Sequence, residues 1–277
     1  MEDSFKNRPV VDRDLIKLYS IHSVSGTEGE KEMCDWLVTR LDELGVEYTR
    51  KGNSLYSISQ NADIYLSAHL DQVKTNGPAK HIYKTNEGHI LAYNDKWQRT
   101  SLGADDKNGV WIILKLLEAG WYFDWSITES EEIGCVGIKS IEQEISKTDA
   151  NFCIVLDRKG NTDILNKGSS CNYCQALAYN LKNFFNNGYE INTGTLSDAQ
   201  TISQYLETVN MSVAYHNPHS AMEYTDFERL CVIKDDIESI FTENFVHYPS
   251  SPESYKNTYS SYKYPSYKSY WGDDDNV

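Results

Sequence analysis

The sequence predicts an α/β protein of three layers, with helices on both faces of a mixed, largely parallel central sheet. Three observations predict it. Apolar runs of strand length (63–68, 124–128, 152–157, 209–215) alternate with helical patterns, the order of a layered α/β domain. The helical pattern over 105–119 is apolar almost all round (Val110, Trp111, Ile112, Ile113, Leu114, Leu116, Leu117), so it needs cover on every side, which a sheet supplies. The runs at 124–128 and 152–157 end in polar residues, and in such sheets ligands bind at the carboxyl ends of strands.

Each element has its own signals. Thr27 and Glu30 form a capping box for a first long helix, Met33, Trp36, Leu37, Leu41 and Leu44 make its apolar stripe, and Gly45 stops it. The helix at 105–119 is closed by Gly120. A last helix runs from Phe227 to about Phe245, with Thr225 and Glu228 as its capping pair and Phe227, Leu230, Cys231, Ile237 and Phe241 as its inner face. Residues 1–247 are expected to form one domain without internal repeats. Residues 248–277 differ: seven of the chain's 20 tyrosines and seven serines lie there, and Val277 is the sole aliphatic side chain. That composition cannot close a core, so a flexible tail is expected.

Composition narrows the partners. Lys plus Arg is 26 against 41 Asp plus Glu, a formal charge of -15. Such a surface repels phosphate backbones and anionic lipid, so neither nucleic acid nor membrane is expected as a partner. No apolar run approaches ~18 residues, so neither a signal peptide nor a membrane span is expected. The six cysteines are mostly dispersed among apolar neighbours, which fits a reduced, cytoplasmic setting. Cys171 and Cys174 are the one pair at metal or redox spacing, and no second pair completes a zinc site.

Four segments carry the chemistry, each where a strand ends or a helix begins. In Ser67-Ala68-His69-Leu70-Asp71, residues two apart on extended chain face the same way. His69 can therefore bind a metal while Asp71 holds its other ring nitrogen. Gly103-Ala104-Asp105-Asp106-Lys107-Asn108-Gly109 opens the buried helix, where the two acids serve as caps or as carboxylates on a rigid mount. Thr128-Glu129-Ser130-Glu131-Glu132-Ile133-Gly134 carries adjacent acids that point differently, so one can bind metal while its neighbour moves protons. Asp157 ends an apolar strand, and His216-Asn217-Pro218-His219-Ser220-Ala221-Met222-Glu223 offers two candidate imidazoles.

Taken in order, these motifs resemble the co-catalytic zinc exopeptidases, the group of peptidase T, carboxypeptidase G and the lidless zinc aminopeptidases. The local resemblance is strongest to peptidase T, through Leu102-Gly103-Ala104-Asp105-Asp106-Lys107 and His219-Ser220-Ala221-Met222-Glu223, and spans about residues 10–245. It implies two zinc ions, with cobalt or manganese as alternatives for the same ligands. It implies that His69 and Asp157 hold one ion, that Glu132 and His219 hold the other, and that Asp105 bridges them. Glu131 is then the general base, Asp71 the partner of His69, and Asp106 a neighbour of the site. His219 is preferred to His216 because the Ser-x-x-Glu context follows it. Asp105, Glu132 and Asp157 bring three negative charges against four from two zinc ions, a near balance that suits a partly buried site.

The chain also departs from those relatives. Asp157 and Ser197-Asp198-Ala199 are only about 40 residues apart, so no lid or dimerisation domain fits between them. The segment Gly194–Ala199 loosely resembles the turn at which the family re-enters its sheet. Without the lid a monomer is expected. Residues 171–190, with Tyr173, Tyr179 and Tyr189, read as ordinary surface or as a wall of the open site. The expected activity is cleavage of short peptides as an aminopeptidase or di/tripeptidase. N-acyl amino acid deacylation by the same centre is the alternative, and a non-catalytic binding protein on a peptidase scaffold is the second.

Overall fold

A computed structural model describes residues 11–59, 61–168, 173–243 and 245–247. Helices α1 (Arg13–Ser20) and α2 (Glu28–Leu44) lead into the hairpin of β1 (Thr49–Lys51) and β2 (Ser54–Ser57), and then β3 (Ile64–His69). Three short strands follow: β4 (His81–Lys84), β5 (His89–Tyr93) and β6 (Arg99–Thr100). Helix α3 (Ala104–Glu118) precedes β7 (Asp124–Thr128), and α4 (Val136–Ser140) and α5 (Glu142–Ile145) precede β8 (Phe152–Arg158) and β9 (Asp163–Lys167). Next come α6 (Gln175–Phe185), β10 (Glu190–Thr193), α7 (Ala199–Ile202) and β11 (Glu207–Ser212). The pair β12 (Tyr215–His216) and β13 (Tyr224–Asp226) runs into α8 (Phe227–Thr242).

The main sheet has the order β1-β2-β7-β3-β8-β11-β9-β10. Its centre, β7, β3, β8 and β11, is parallel, while β2 and β9 join antiparallel at the flanks. Alternation along the strands sends side chains to two cores. Ile64, Leu66 and Ala68 enter one with Phe152, Ile154 and Leu156, under α1, α2, α3, α6 and α8. Tyr65, Cys153 and Val155 enter the other, under α4, α5 and α7 through Ile138, Ile145 and Ile202. Three layers result, as the sequence predicts. Leu66 is fully buried, so Leu66→Ala is expected to cost about 2–5 kcal/mol through lost transfer energy and the cavity left behind. Urea titration of the variant against the wild type measures it.

A second sheet, β12-β13-β5-β4 with β6 on β5, is absent from the sequence-based prediction. Its strands are short and only the five-residue β5 alternates over its length: β4 is nowhere fully buried, and β6 and β12 have two residues each. Its strand β12 follows the carboxyl end of β11 after two intervening residues, so the sheet stands at the carboxyl edge of the main one. Between Asp157 and Ser197 the described chain forms β9, α6 and β10, which join the main sheet and its helical layer, and holds no inserted domain. The Tyr/Ser-rich stretch 248–277 and Cys171 lie outside the described residues. The five described cysteines are free. No helix among the described residues is long and apolar enough to cross a membrane.

Three local expectations are corrected. Thr27 precedes α2 without capping it, because its hydroxyl donates to the Val24 carbonyl instead. Glu30 is buried and accepts from the Gly26 and Ser130 N–H groups, so it ties α2 to the turn after β7. Asp226, not Thr225, caps α8 by accepting from the Arg229 N–H, and the helix ends at Thr242. The Thr225 hydroxyl points inward to Tyr19 and Asn108. Gly45 does stop α2, at φ 68, in the left-handed region that glycine adopts without strain. Tyr173 and Tyr189 are buried and Tyr179 is exposed, and none of them lines the cleft described next.

Candidate metal centre

Strand β3 carries the buried His69 to the carboxyl edge of the sheet. Its Nδ1 lies 3.3 Å from Asp71 Oδ1 and 3.2 Å from the Asp71 carbonyl, so that side of the ring is held. Nε2 faces Asp105 Oδ1 at 3.3 Å and Asp157 Oδ1 at 3.6 Å. The Asp71 carboxylate also accepts from Ser25 Oγ at 2.6 Å and from the N–H groups of Glu131 and Glu132 at 3.0 and 3.2 Å. Burial works to raise this carboxyl, but the His69 ring and these donors outweigh it and hold it below the ordinary carboxylate range. One side chain thus fixes both the imidazole and the acidic turn.

Asp105 and Asp106 have non-helical backbone angles at the mouth of α3, and the peptide between them is cis. Asp106 turns away to accept from the Gly109 N–H at 3.1 Å and the His69 N–H at 3.2 Å, anchoring the helix to β3. Glu223 accepts from the Ala104 and Asp105 N–H groups at 3.2 and 3.3 Å and from Ser101 Oγ at 2.6 Å. Held in this way, Asp105 presents Oδ1 to His69 and Oδ2 to His219 Nε2 at 3.1 Å.

The turn after β7 supplies the adjacent acids. Glu132 Oε1 is 2.9 Å from His219 Nε2, whereas Glu131 Oε2 stands 4.0 Å from His69 Nε2 and receives the Cys135 thiol on Oε1 at 3.5 Å. Burial above all pushes the Glu131 carboxyl well above its ordinary range, and the charges of Asp157, Asp198 and Glu132 add to this. Asp157, at the end of β8, is clamped by Asn210, whose side chain accepts from the Asp157 N–H at 3.3 Å and donates to its carbonyl at 3.1 Å. Tyr215 donates its hydroxyl to Asp157 Oδ1 at 3.3 Å. Burial pushes the Asp157 carboxyl up to about 7. His219 sits on the link between β12 and β13 with its ring half exposed, and hydrogen bonds to Asp105 and Glu132 push it up to about 10. His216 faces elsewhere, 3.0 Å from Asn161 Oδ1 and stacked on Tyr224.

Two groups of donor atoms meet at Asp105, His69/Asp105/Asp157 and Asp105/Glu132/His219, each with its atoms within 4.8 Å of one another, and a further group, Glu131/Cys135/Asp198, lies beside them. All seven side chains singled out in the sequence therefore converge, with Asp106 beside them as a helix anchor. Asp71, Asp105, Asp106 and Asp198 are buried within this region, and Glu131, Glu132 and Asp157 are mostly so, yet only two imidazoles face them. That much buried negative charge calls for cations, and a mixed imidazole and carboxylate set suits zinc, cobalt or manganese. A cleft of about 300 Å³ opens beside the acids, with Leu165, Leu196 and Pro218 on its walls and Arg158 and Lys159 at its rim.

Some contributors have no motif. Asp198 is buried, accepts from Thr128 Oγ1 at 2.6 Å, and is pushed up to about 6 by burial. Only its place in the Gly194–Ala199 turn drew notice to it. A polar Asn210 inside an apolar strand was a visible signal, because a buried amide needs partners. Tyr215 and Ser25 gave none.

No protein-family model matches the chain, and no curated protein does. Solved structures do match. A tripeptidase from Staphylococcus aureus superposes with a TM-score of 0.65 at 16% identity, covering 82% of this chain and 95% of that one. The aminopeptidase PepT from Bacillus cereus gives 0.66 at 17% identity, covering 83% and 96%. The TET1 peptidase of Pyrococcus horikoshii gives 0.59 at 15% identity, covering 82% and 98%. The chain therefore has the α/β fold of these peptidases.

Proposed function

We propose that the chain is a dinuclear metal-dependent exopeptidase of short peptides, acting as an aminopeptidase or di/tripeptidase. The observation that carries this is one carboxylate, Asp105, shared by two donor groups, beside a carboxylate, Glu131, that belongs to neither. His69 and Asp157 would hold one ion and Glu132 and His219 the other. Two zinc ions, or cobalt or manganese in their place, would supply an acidified water and a polarised substrate carbonyl.

The chain's own residues do the rest. Glu131 faces the cleft and takes the proton of the attacking water, then passes it to the departing amine. Asp71 keeps His69 in register through Nδ1, and Asn210 and Tyr215 steady Asp157. The acids at the cleft attract an α-ammonium group. Arg158 and Lys159 suit the far carboxylate of a short peptide, although Arg158 Nε already lies 3.0 Å from Asp163. The same two cations would also suit an N-acyl amino acid, which keeps deacylation as the second reading. The names of the matching structures, a tripeptidase and aminopeptidases, support the first.

The P. horikoshii peptidase assembles into a tetrahedron or an octahedral shell, which weighs against the monomer expected from the sequence. A cytoplasmic setting accords with the free cysteines. Aminoacyl chromogenic substrates assayed beside N-acyl amino acids test the activity. Hydrolysis of the free-amine series is expected, abolished by chelation and restored by zinc. Turnover of neither series by protein carrying two metal equivalents would refute the proposal.

A further inference from the structure

Another group of metal-binding side chains lies outside the cleft, toward the amino end of β11. Cys174 is the N-cap of α6, Glu207 opens β11, and His247 follows α8. The Cys174 thiol, a Glu207 carboxylate oxygen and a His247 ring nitrogen all lie within 4.8 Å of one another. Glu207 and His247 are only 2% and 4% exposed, and they touch through Oε2 and Nε2. Glu207 is at the amino end of β11, whereas Asn210, farther along that strand, lines the cleft. The chemistry proposed above uses none of the three.

The fold builds this group with care. The Cys174 N–H donates to the Thr208 carbonyl at 3.0 Å, which seats the first turn of α6 against β11. Phe152 meets the His247 ring edge-on at 5.8 Å, and Phe245 packs on Phe152 at 5.5 Å, so the surroundings are apolar. The other ring nitrogen, Nδ1, is 3.1 Å from the Asn180 side-chain amide. Turned end for end, that amide accepts the Nδ1 proton and leaves Nε2 free as a ligand, the usual outer support of a metal-binding imidazole.

We infer that Cys174, Glu207 and His247 form a site for one divalent ion of the zinc type, with its fourth position left to a solvent ligand, separate from the cleft. A thiolate, a carboxylate and a neutral imidazole are ligands zinc accepts, and their two negative charges balance the ion in an apolar surrounding. Sequence spacing sets Cys174 beside Cys171 without a second cysteine pair. The structure supplies other partners, an acid and an imidazole remote in the chain. Such an ion ties the start of α6, the start of β11 and the segment after α8 at one point.

Cobalt(II) tests this in the full-length protein, stripped with a chelator and reloaded. Neither donor group that shares Asp105 contains sulfur, and Cys135→Ser removes the thiol of the neighbouring Glu131/Cys135/Asp198 group, so a thiolate-to-cobalt charge-transfer band that survives this substitution reads the Cys174 site. The band is expected in the wild type, in Cys135→Ser and in His69→Ala, whatever becomes of the cleft. Cys174→Ser and, independently, His247→Gln are expected to lose it together with one equivalent of metal. A wild type that binds cobalt without the band, or a band and metal count unchanged in both variants, would reduce the group to a hydrogen-bonded Glu207–His247 pair and overturn the inference.

Discussion

Glu131→Gln is expected to lower kcat by about two to four orders of magnitude, the usual contribution of a positioned proton acceptor. The amide keeps the shape of the carboxylate, so the backbone bonds from Asp71 to residues 131 and 132 remain. Metal content should stay at the wild-type value, because neither of the donor groups that share Asp105 includes Glu131. The split between lost kcat and retained metal is the informative measurement. A variant that keeps near-normal kcat with its metal in place would remove Glu131 from proton transfer.

Asp105→Ala is expected to eliminate turnover and the metal of the cleft together. Its two oxygens face His69 and His219, so one truncation takes a ligand from each group and leaves two protein ligands in each. Metal analysis and a peptide assay on the same preparation check this, with circular dichroism confirming the fold. Because metal that binds only the native state adds to stability, the variant should also lose the cleft's share of the wild type's rise in Tm on adding zinc, read as the difference that remains when both proteins carry Cys174→Ser. Loss of a single equivalent would mean that Asp105 serves one ion and bridges nothing.

The central architecture was legible because β8 opens with five apolar residues in a row and β3 with three, while Trp125 and Ile127 alternate with polar residues in β7. The second sheet was not legible. Its strands are short, partly exposed and stabilised by pairing with segments distant in sequence. At the site, the residue types at strand ends were readable, and the Ser-x-x-Glu context picked out the imidazole that reaches Asp105. What escaped was the supporting layer. Asn210, Tyr215 and Asp198 act by contact, and contact is a property of the folded chain alone. Glu30 shows the opposite error: a local pattern promised a cap, but the buried carboxylate goes to Ser130, a hundred residues away in sequence.

The placement of His219 on the smaller sheet has a bearing on biosynthesis. Its imidazole emerges from the ribosome after every other member of the group, and meets them only when β12 and β13 pair beside the finished main sheet. On the proposed reading, a growing or half-assembled chain holds no working hydrolase.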